Sequence, residues 1–249
     1  MNRKTTVLNC PIDIVSVEEV ISEAKQTIES GNNFQIVTIN PEMIMAAQKN
    51  PNFYQILQNS NLNIVDGIGV RVALKMQNVS THRIRGIDCA RALIELANKE
   101  NLKLGLLGAK EEVITKVYEN LKNRYSNLDI AYCRNGYFEN DDVIIKEIVN
   151  ANPKIILVGL GSPKQEEIID KLKKVLNSTV LIGVGGSFDV FSGVVKESPW
   201  IFRRFGFEWL YRTLSQPERF KRIFPTLPIF LFKCIIDSVK KGFKIGKAG

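Results

Sequence analysis

The chain has 249 residues, enough for one large domain or for a medium one with an appendage, and enough to bury a sizeable core. Apolar residues make up 45% and charged residues 24%, which excludes a disordered, collagen-like or multi-span membrane protein. The formal charge of +8 is unevenly placed: residues 1–195 hold 22 basic and 22 acidic side chains, whereas residues 196–249 hold 12 basic and 4 acidic ones together with 11 of the 21 aromatic residues.

Taken in chain order, Ser16 with Glu19 three positions on is a capping-box signature and predicts a helix start. Phe34–Ile39 is a short apolar run closed by Asn40, with Pro41 opening the next helix. Asn50-Pro51, a cap followed by a proline, predicts another helix. Leu62–Val65 reads as a strand that runs straight into Asp66-Gly67-Ile-Gly69. Leu102–Leu107, Lys154–Val158 and Thr179–Val184 are further buried-strand runs, alternating with helical patterns near 88–99, 110–124, 141–151 and 163–176. Such alternation predicts an α/β domain, a Rossmann-like parallel sheet with helices on both faces, whose ligands sit beyond the carboxyl ends of the strands.

The character changes near Gly193–Pro199. Beyond it aromatic and basic residues interleave, and Pro217, Pro225 and Pro228 predict three or four short helical pieces, too few residues for a separate core. The expected organisation is therefore an α/β domain over 1–195 and a basic, aromatic-rich C-terminal appendage over 196–249 that packs on the body or uses a surface. The longest apolar stretch, Leu227–Ile236, is interrupted by Pro228 and Lys233. It is about half the roughly 20 residues that a spanning helix needs. Arg3 and Lys4 are followed by no continuous apolar run, so no signal peptide is expected. Cys10, Cys89, Cys133 and Cys234 form no Cys-x-x-Cys pair, a pattern that fits a reducing cytosol better than a disulfide framework or a zinc ribbon.

Phosphate-loop and dinucleotide glycine motifs are absent, as is an Asp-x-Asp metal–diphosphate signature, and the single histidine, His82, cannot build a metal cluster. No metal or cofactor is expected, and acid–base work falls to a carboxylate. The polar candidates cluster at strand ends. Thr38 and Asn40 close one strand, and Asp66 closes another, as a ligand-facing acid or as the cap of the following helix. Gly159-Leu-Gly161-Ser-Pro-Lys-Gln165-Glu166 and Gly183-Val-Gly185-Gly-Ser-Phe-Asp189 follow two more strands, as tight turns or as hydroxyl and anion sites. Tyr137, after Gly136, is a base-stacking candidate or a core residue. In the tail, Arg212, Arg219 and Arg222 are spaced for one helical face, either solvated or matched to a diphosphate.

The ordered set Thr38-x-Asn40-Pro41, Asp66-Gly67-x-Gly69, Arg83-x-x-Gly86-x-Asp88, Gly161-x-Pro163-x-Gln165-Glu166, Gly183-Val-Gly185-Gly-x-Phe188-Asp189 and Gly206-Phe-Glu208-Trp209-Leu-Tyr-Arg212 resembles the WecG/TagA/CpsF glycosyltransferases over about residues 8–225. The likeness is greatest to the TagA-type branch of wall teichoic acid synthesis. It implies an inverting, metal-independent enzyme that moves N-acetylmannosamine from its UDP donor to undecaprenyl-diphosphate-N-acetylglucosamine, forming a β-1,4 linkage. It makes residues 1–195 a catalytic domain and residues 196–249 a membrane-associating appendage. It places the general base on Asp66, lines the pocket with Thr38, Asn40, Arg83 and Gln165, and puts Arg212, Arg219 and Arg222 on the diphosphate. The partners it implies are a UDP-sugar, a polyprenyl-diphosphate-linked sugar acceptor, an anionic membrane surface at the cytoplasmic face and a second copy of the chain in a homo-oligomer. The alternatives are the same fold using UDP-N-acetylmannosaminuronate or UDP-glucose/galactose, and a non-catalytic, membrane-docked nucleotide-sugar binding protein. Nucleic acid is not an expected partner, because the basic residues sit among large apolar side chains and no nucleic-acid motif is present.

Overall fold

The computed structural model describes residues 3–81, 84–205, 208, 210, 211 and 217–245, the side chains of residues 3, 203, 205, 217–223 and 240–245 excepted. Strands are β1 Arg3–Val7, β2 Cys10–Ile14, β3 Phe34–Ile39, β4 Leu62–Val65, β5 Leu104–Gly108, β6 Ile130–Arg134, β7 Ile155–Gly159 and β8 Val180–Gly183. Helices are α1 Val17–Glu29, α2 Pro41–Ala47, α3 Pro51–Asn59, α4 Ile68–Met76, α5 Gly86–Lys99, α6 Glu111–Arg124, α7 Asp141–Ala151, α8 Lys164–Lys173, α9 Ser187–Phe191, α10 Trp200–Phe205 and α11 Pro217–Ile245.

Local chemistry sets several of these boundaries. The Ser16 hydroxyl accepts from the Glu19 main chain and the Glu19 carboxylate accepts from the Ser16 N–H at 2.6 Å, so two otherwise orphaned donors at the start of α1 are satisfied reciprocally. Asn40 and Asn50 cap α2 and α3 by accepting from Met43 N and Phe53 N, each just ahead of a proline whose missing N–H is no loss at the first helical position.

The strands form one eight-stranded sheet in the order β1-β2-β4-β3-β8-β7-β5-β6, parallel except for the β1–β2 hairpin. Alternate side chains divide between the two faces. Ile36, Ile64, Leu157 and Ile182 join a core beneath α1, α5, α6 and α9. On the other face, Val37, Ile39 and Val65 pack with α2, α3, α4 and α11, while Ile156, Val158 and Leu181 pack with α7 and α8. A parallel sheet covered in this way has central strands that are buried end to end, as β3 is.

Three strands depart from the sequence expectation. The β1–β2 hairpin and β6 lie at the two edges, where chains need not be uniformly apolar: β1 reads Arg-Lys-Thr-Thr-Val, and β6 is only partly buried. The tail differs more. Instead of short pieces divided at Pro217, Pro225 and Pro228, α11 runs for 29 residues from Pro217 through the other two prolines. Phe230 and Cys234, with Leu227 and Leu231 partly buried beside them, pack into the core formed by α2 and α4, and this contact holds the helix together where local propensity would break it. Gly69 on α4 permits the approach, since a Cβ there would come within 2.6 Å of Pro41 Cγ and 2.9 Å of Leu227 Cδ1. Among the described residues no helix is long and apolar enough to cross a membrane.

Phe230 is fully buried. Phe230→Ala should therefore lower stability in urea by about 3–5 kcal/mol. An unchanged unfolding midpoint would show that α11 does not share the core of the sheet.

Candidate active site

Strands β3 and β8 are hydrogen-bonded neighbours, but the helices that follow them diverge: α2 enters the core on one face and α9, through Phe188, the core on the other. The chain parts at the carboxyl ends of these strands, the usual place for a ligand in an open α/β sheet. A cleft of about 930 Å³ opens there.

Six of the sequence candidates line it: Thr38, Asn40, Asp66, Gln165, Gly185 and Asp189. Thr38 is buried and donates from Oγ1 to the Gly183 carbonyl at 3.2 Å, tying the end of β3 to the end of β8. Asn40 spends its Oδ1 on the α2 cap and still borders the cleft. Asp66 follows β4 directly, half-buried, its own N–H donating to the Ile39 carbonyl at 2.9 Å. The cap position of α4 falls on Gly67, so Asp66 lies one residue outside it. Asp189 sits in the first turn of α9.

Gln165 is buried at the back of the cleft between two fixed partners. Its Oε1 accepts from Gly185 N at 3.1 Å, and its Nε2 donates to Glu166 Oε1 at 2.6 Å. The absence of a side chain at Gly183 is what lets the pair press against β8, since a Cβ there would come within 2.5 Å of Gln165 Nε2 and 2.9 Å of Glu166 Oε1. Glu166 is 1% exposed. Burial pushes its carboxyl up to about 7, against the downward pull of the Gln165 amide and the Ser162 hydroxyl. Its Oε2 is buried with no partner at hydrogen-bond geometry.

Tyr137 stands apart. It is 71% exposed in the loop after β6, not a core residue, and does not line the cleft. Arg83, Arg212 and His82 lie outside the described residues, as do the side chains of Arg219 and Arg222, whose backbone belongs to α11.

Arg85 and Glu208, which line the cleft, and Glu166, directly behind Gln165, carry no assigned role in the sequence reading. The Arg85 guanidinium borders the cleft and is wrapped by carboxylates, with a paired contact to Asp88, Glu197 Oε1 at 2.7 Å and Glu208 Oε1 at 3.4 Å. Arg91 shares Glu197 at 2.7 Å and Asp88 at 3.4 Å. Burial alone would lower the Arg85 pKa, but hydrogen bonds to Asp88 and Glu197 and the charge of Glu208 raise it, so the cation is fixed. This network ties the start of α5 to residues 197 and 208 beyond the sheet. Arg85 is two residues from the arginine of the Arg-x-x-Gly motif, and Glu208 belongs to the Gly-Phe-Glu-Trp motif, so the signal lay in segments already marked.

The Glu166 carboxyl titrates higher in the folded protein than its ordinary 4.5, so the native state holds its proton more tightly than the unfolded chain does. That contribution to stability is fully present below about pH 4.5 and is lost as pH rises through about 7. Glu166→Gln should accordingly gain on wild type between pH 5 and pH 8, by on the order of 2 kcal/mol in urea unfolding. A stability difference that stays flat with pH would show that the carboxyl is not desolvated.

The chain matches the Glycosyl transferase WecG/TagA/CpsF family over residues 5–243. It is 34% identical over 248 residues, 98% of this chain and 96% of the relative, to the N-acetylglucosaminyldiphosphoundecaprenol N-acetyl-beta-D-mannosaminyltransferase of Staphylococcus aureus (strain MW2). It is 39% identical over 189 residues, 76% of this chain and 74% of the relative, to the Bacillus subtilis (strain 168) protein of the same name. With the strand-end motifs gathered around one cleft and the match running almost end to end, the chain belongs to the WecG/TagA/CpsF family of glycosyltransferases.

Proposed function

We propose that this cleft transfers N-acetylmannosamine from UDP-N-acetylmannosamine to undecaprenyl-diphosphate-N-acetylglucosamine, with inversion at the anomeric carbon. The observation that carries the reading is the two-part character of the cleft. Its lining is polar at the strand ends, with Asp66, Thr38, Asn40 and Gln165, and largely apolar where α2 and α11 border it, with Met43, Met45, Leu227 and Ile229 beside Glu42 and Lys49. A substrate with a sugar diphosphate at one end and a prenyl chain at the other matches that polarity. The names of the two relatives supply the sugars and the lipid.

In this reading Asp66 takes the proton from the acceptor hydroxyl as that oxygen attacks C1 and UDP departs with the bonding pair. One displacement suffices, and the enzyme forms no covalent bond. Charge growing on the departing diphosphate needs cationic partners, which is the role assigned to Arg212, Arg219 and Arg222 of the tail. Thr38, Asn40, Arg83, Gln165, Gly185 and Asp189 orient the sugars. The Arg85 network holds the Glu208 side chain beside the same cleft.

The outer side of α11 supports the membrane part of the reading. Phe224, Phe232, Ile236 and Val239 are exposed along it, with Lys233 among them. Exposed apolar side chains flanked by cations suit a helix lying in an anionic interface, where each Lys or Arg is worth roughly 1 kcal/mol. The enzyme then works as a peripheral protein at the cytoplasmic face, where its lipid acceptor is held.

Two measurements test this. Turnover of a panel of UDP-sugars with the lipid-linked acceptor should be fastest with UDP-N-acetylmannosamine, and Asp66→Asn should lower kcat about 10²–10⁴-fold. Preference for UDP-N-acetylmannosaminuronate or UDP-glucose/galactose would move the donor, and wild-type turnover by the variant would remove Asp66 as base. In flotation with anionic vesicles, Phe232→Glu should release the protein from the lipid fraction while leaving transfer to a short-chain soluble acceptor intact. Equal flotation of variant and wild type would sink the interfacial role of α11.

A further inference from the structure

We infer that Glu166 is a positioning residue for the transfer, holding the Gln165 carboxamide in one of its two flipped orientations at the back of the cleft. The inference rests on the reading above in one respect, that Gln165 meets the substrate.

A carboxamide is nearly symmetrical in shape, so packing alone does not choose between an orientation and its flip; hydrogen-bond partners do. Here the two partners make opposite demands. Gly185 offers an N–H and requires an acceptor, which places Oε1 toward it at 3.1 Å. Glu166 offers an oxygen and requires a donor, which places Nε2 toward it at 2.6 Å. Exchange of the two ends would set N–H against N–H on one side and oxygen against oxygen on the other. The clamp leaves one Nε2 hydrogen and one Oε1 lone pair for a ligand in the cleft, in a fixed arrangement.

The clamp is also rigid. Gln165 and Glu166 occupy the first turn of α8, whose Ile168, Ile169 and Leu172 are buried against the sheet. Gly183 brings β8 against both side chains, so neither has room to swing without the other moving. Without the Glu166 oxygen, the amide keeps only the longer bond from Gly185, and its donor end has no partner.

A buried acid is an expensive way to fill this space. Its second oxygen has no well-formed hydrogen bond, and a neutral side chain of similar length would suit the packing better. A group that weakens the fold and fixes the orientation of a neighbouring cleft residue has its use in the site.

The test compares full-length wild type with Glu166→Met, which keeps the length and removes the acceptor, Glu166→Gln, which keeps an acceptor, Gln165→Ala, and the double variant Gln165→Ala/Glu166→Met. Initial rates with the lipid-linked acceptor and UDP affinity by calorimetry are read for each, with thermal melting as the check on folding. Glu166→Met should lose on the order of tenfold in kcat/KM, as a buried hydrogen bond is removed and the amide donor is left unsatisfied, while melting no lower than wild type. Glu166→Gln should restore activity close to wild type. The double variant should be no worse than Gln165→Ala, because the acid acts only through that amide. Wild-type kinetics in Glu166→Met, losses that multiply in the double variant, or a Glu166→Gln as impaired as Glu166→Met would each overturn the inference. The calorimetry separates it from the reaction itself: no turnover by wild type, with the same ranking of variants in UDP affinity, rejects the reaction and supports the clamp. Absence of both turnover and any ranking rejects both.

Discussion

Strands β3 and β8 lie side by side, in register from Phe34 opposite Val180 to Ile36 opposite Ile182, and the chain leaves their ends toward opposite faces of the sheet. That divergence is a constraint of topology before it is a matter of side chains. Parallel neighbours whose crossovers lie on the same face would close over their ends, whereas helices on opposite faces leave a gap that no main chain fills. The gap is bordered by residues that must turn from strand to helix within two or three positions, which is why asparagine, aspartate and glycine collect there. Thr38, donating to the Gly183 carbonyl, keeps its two sides in contact below the opening. The cleft, its acid and its amide are consequences of this one junction.

Charge is handled differently at the two depths of the site. At the back, Glu166 and Gln165 are nearly dry, and a single hydrogen bond matters because water cannot replace it. At the rim, Arg85 and Arg91 share three carboxylates and are only partly covered, so each pair contributes modestly. The collective effect is mechanical: residues distant in sequence, at 85, 88, 91, 197 and 208, are fastened to one another beside the opening. The C-terminal helix adds a third kind of contact, an apolar one, by burying Phe230 and Cys234 in the same core that holds α2. Polar chemistry and apolar surface thus meet at α2, whose cap residue Asn40 and whose Met45 both line the cleft.

Much of this was legible in the sequence because the central strands are continuous apolar runs and their ends are punctuated. Phe34–Ile39 and Leu62–Val65 coincide with β3 and β4, and the capping signals at Ser16, Asn40 and Asn50 open the helices they announce. Edge strands escaped because they are not uniformly buried: β6 alternates weakly, and β1 is polar. The long α11 escaped because two internal prolines argue locally against it, and only the contact with α2 and α4, remote in sequence, overrides them. At the site, strand-end position was enough to gather Thr38, Asn40, Asp66, Gln165, Gly185 and Asp189. It was not enough for Tyr137, which follows the edge strand β6 and is exposed outside the cleft lining, nor for Glu166, whose role is visible only once Gly183 and Gln165 are placed against it.

The central claim is that ligand binds where β3 and β8 part. Amide hydrogen exchange of the full-length protein with and without UDP locates the ligand without reference to turnover. Protection is expected at 38–41, 66–69, 161–166 and 184–189, the segments that border the junction. Protection confined to the β1–β2 hairpin or to the amino ends of the strands, with those four segments unchanged, would contradict it.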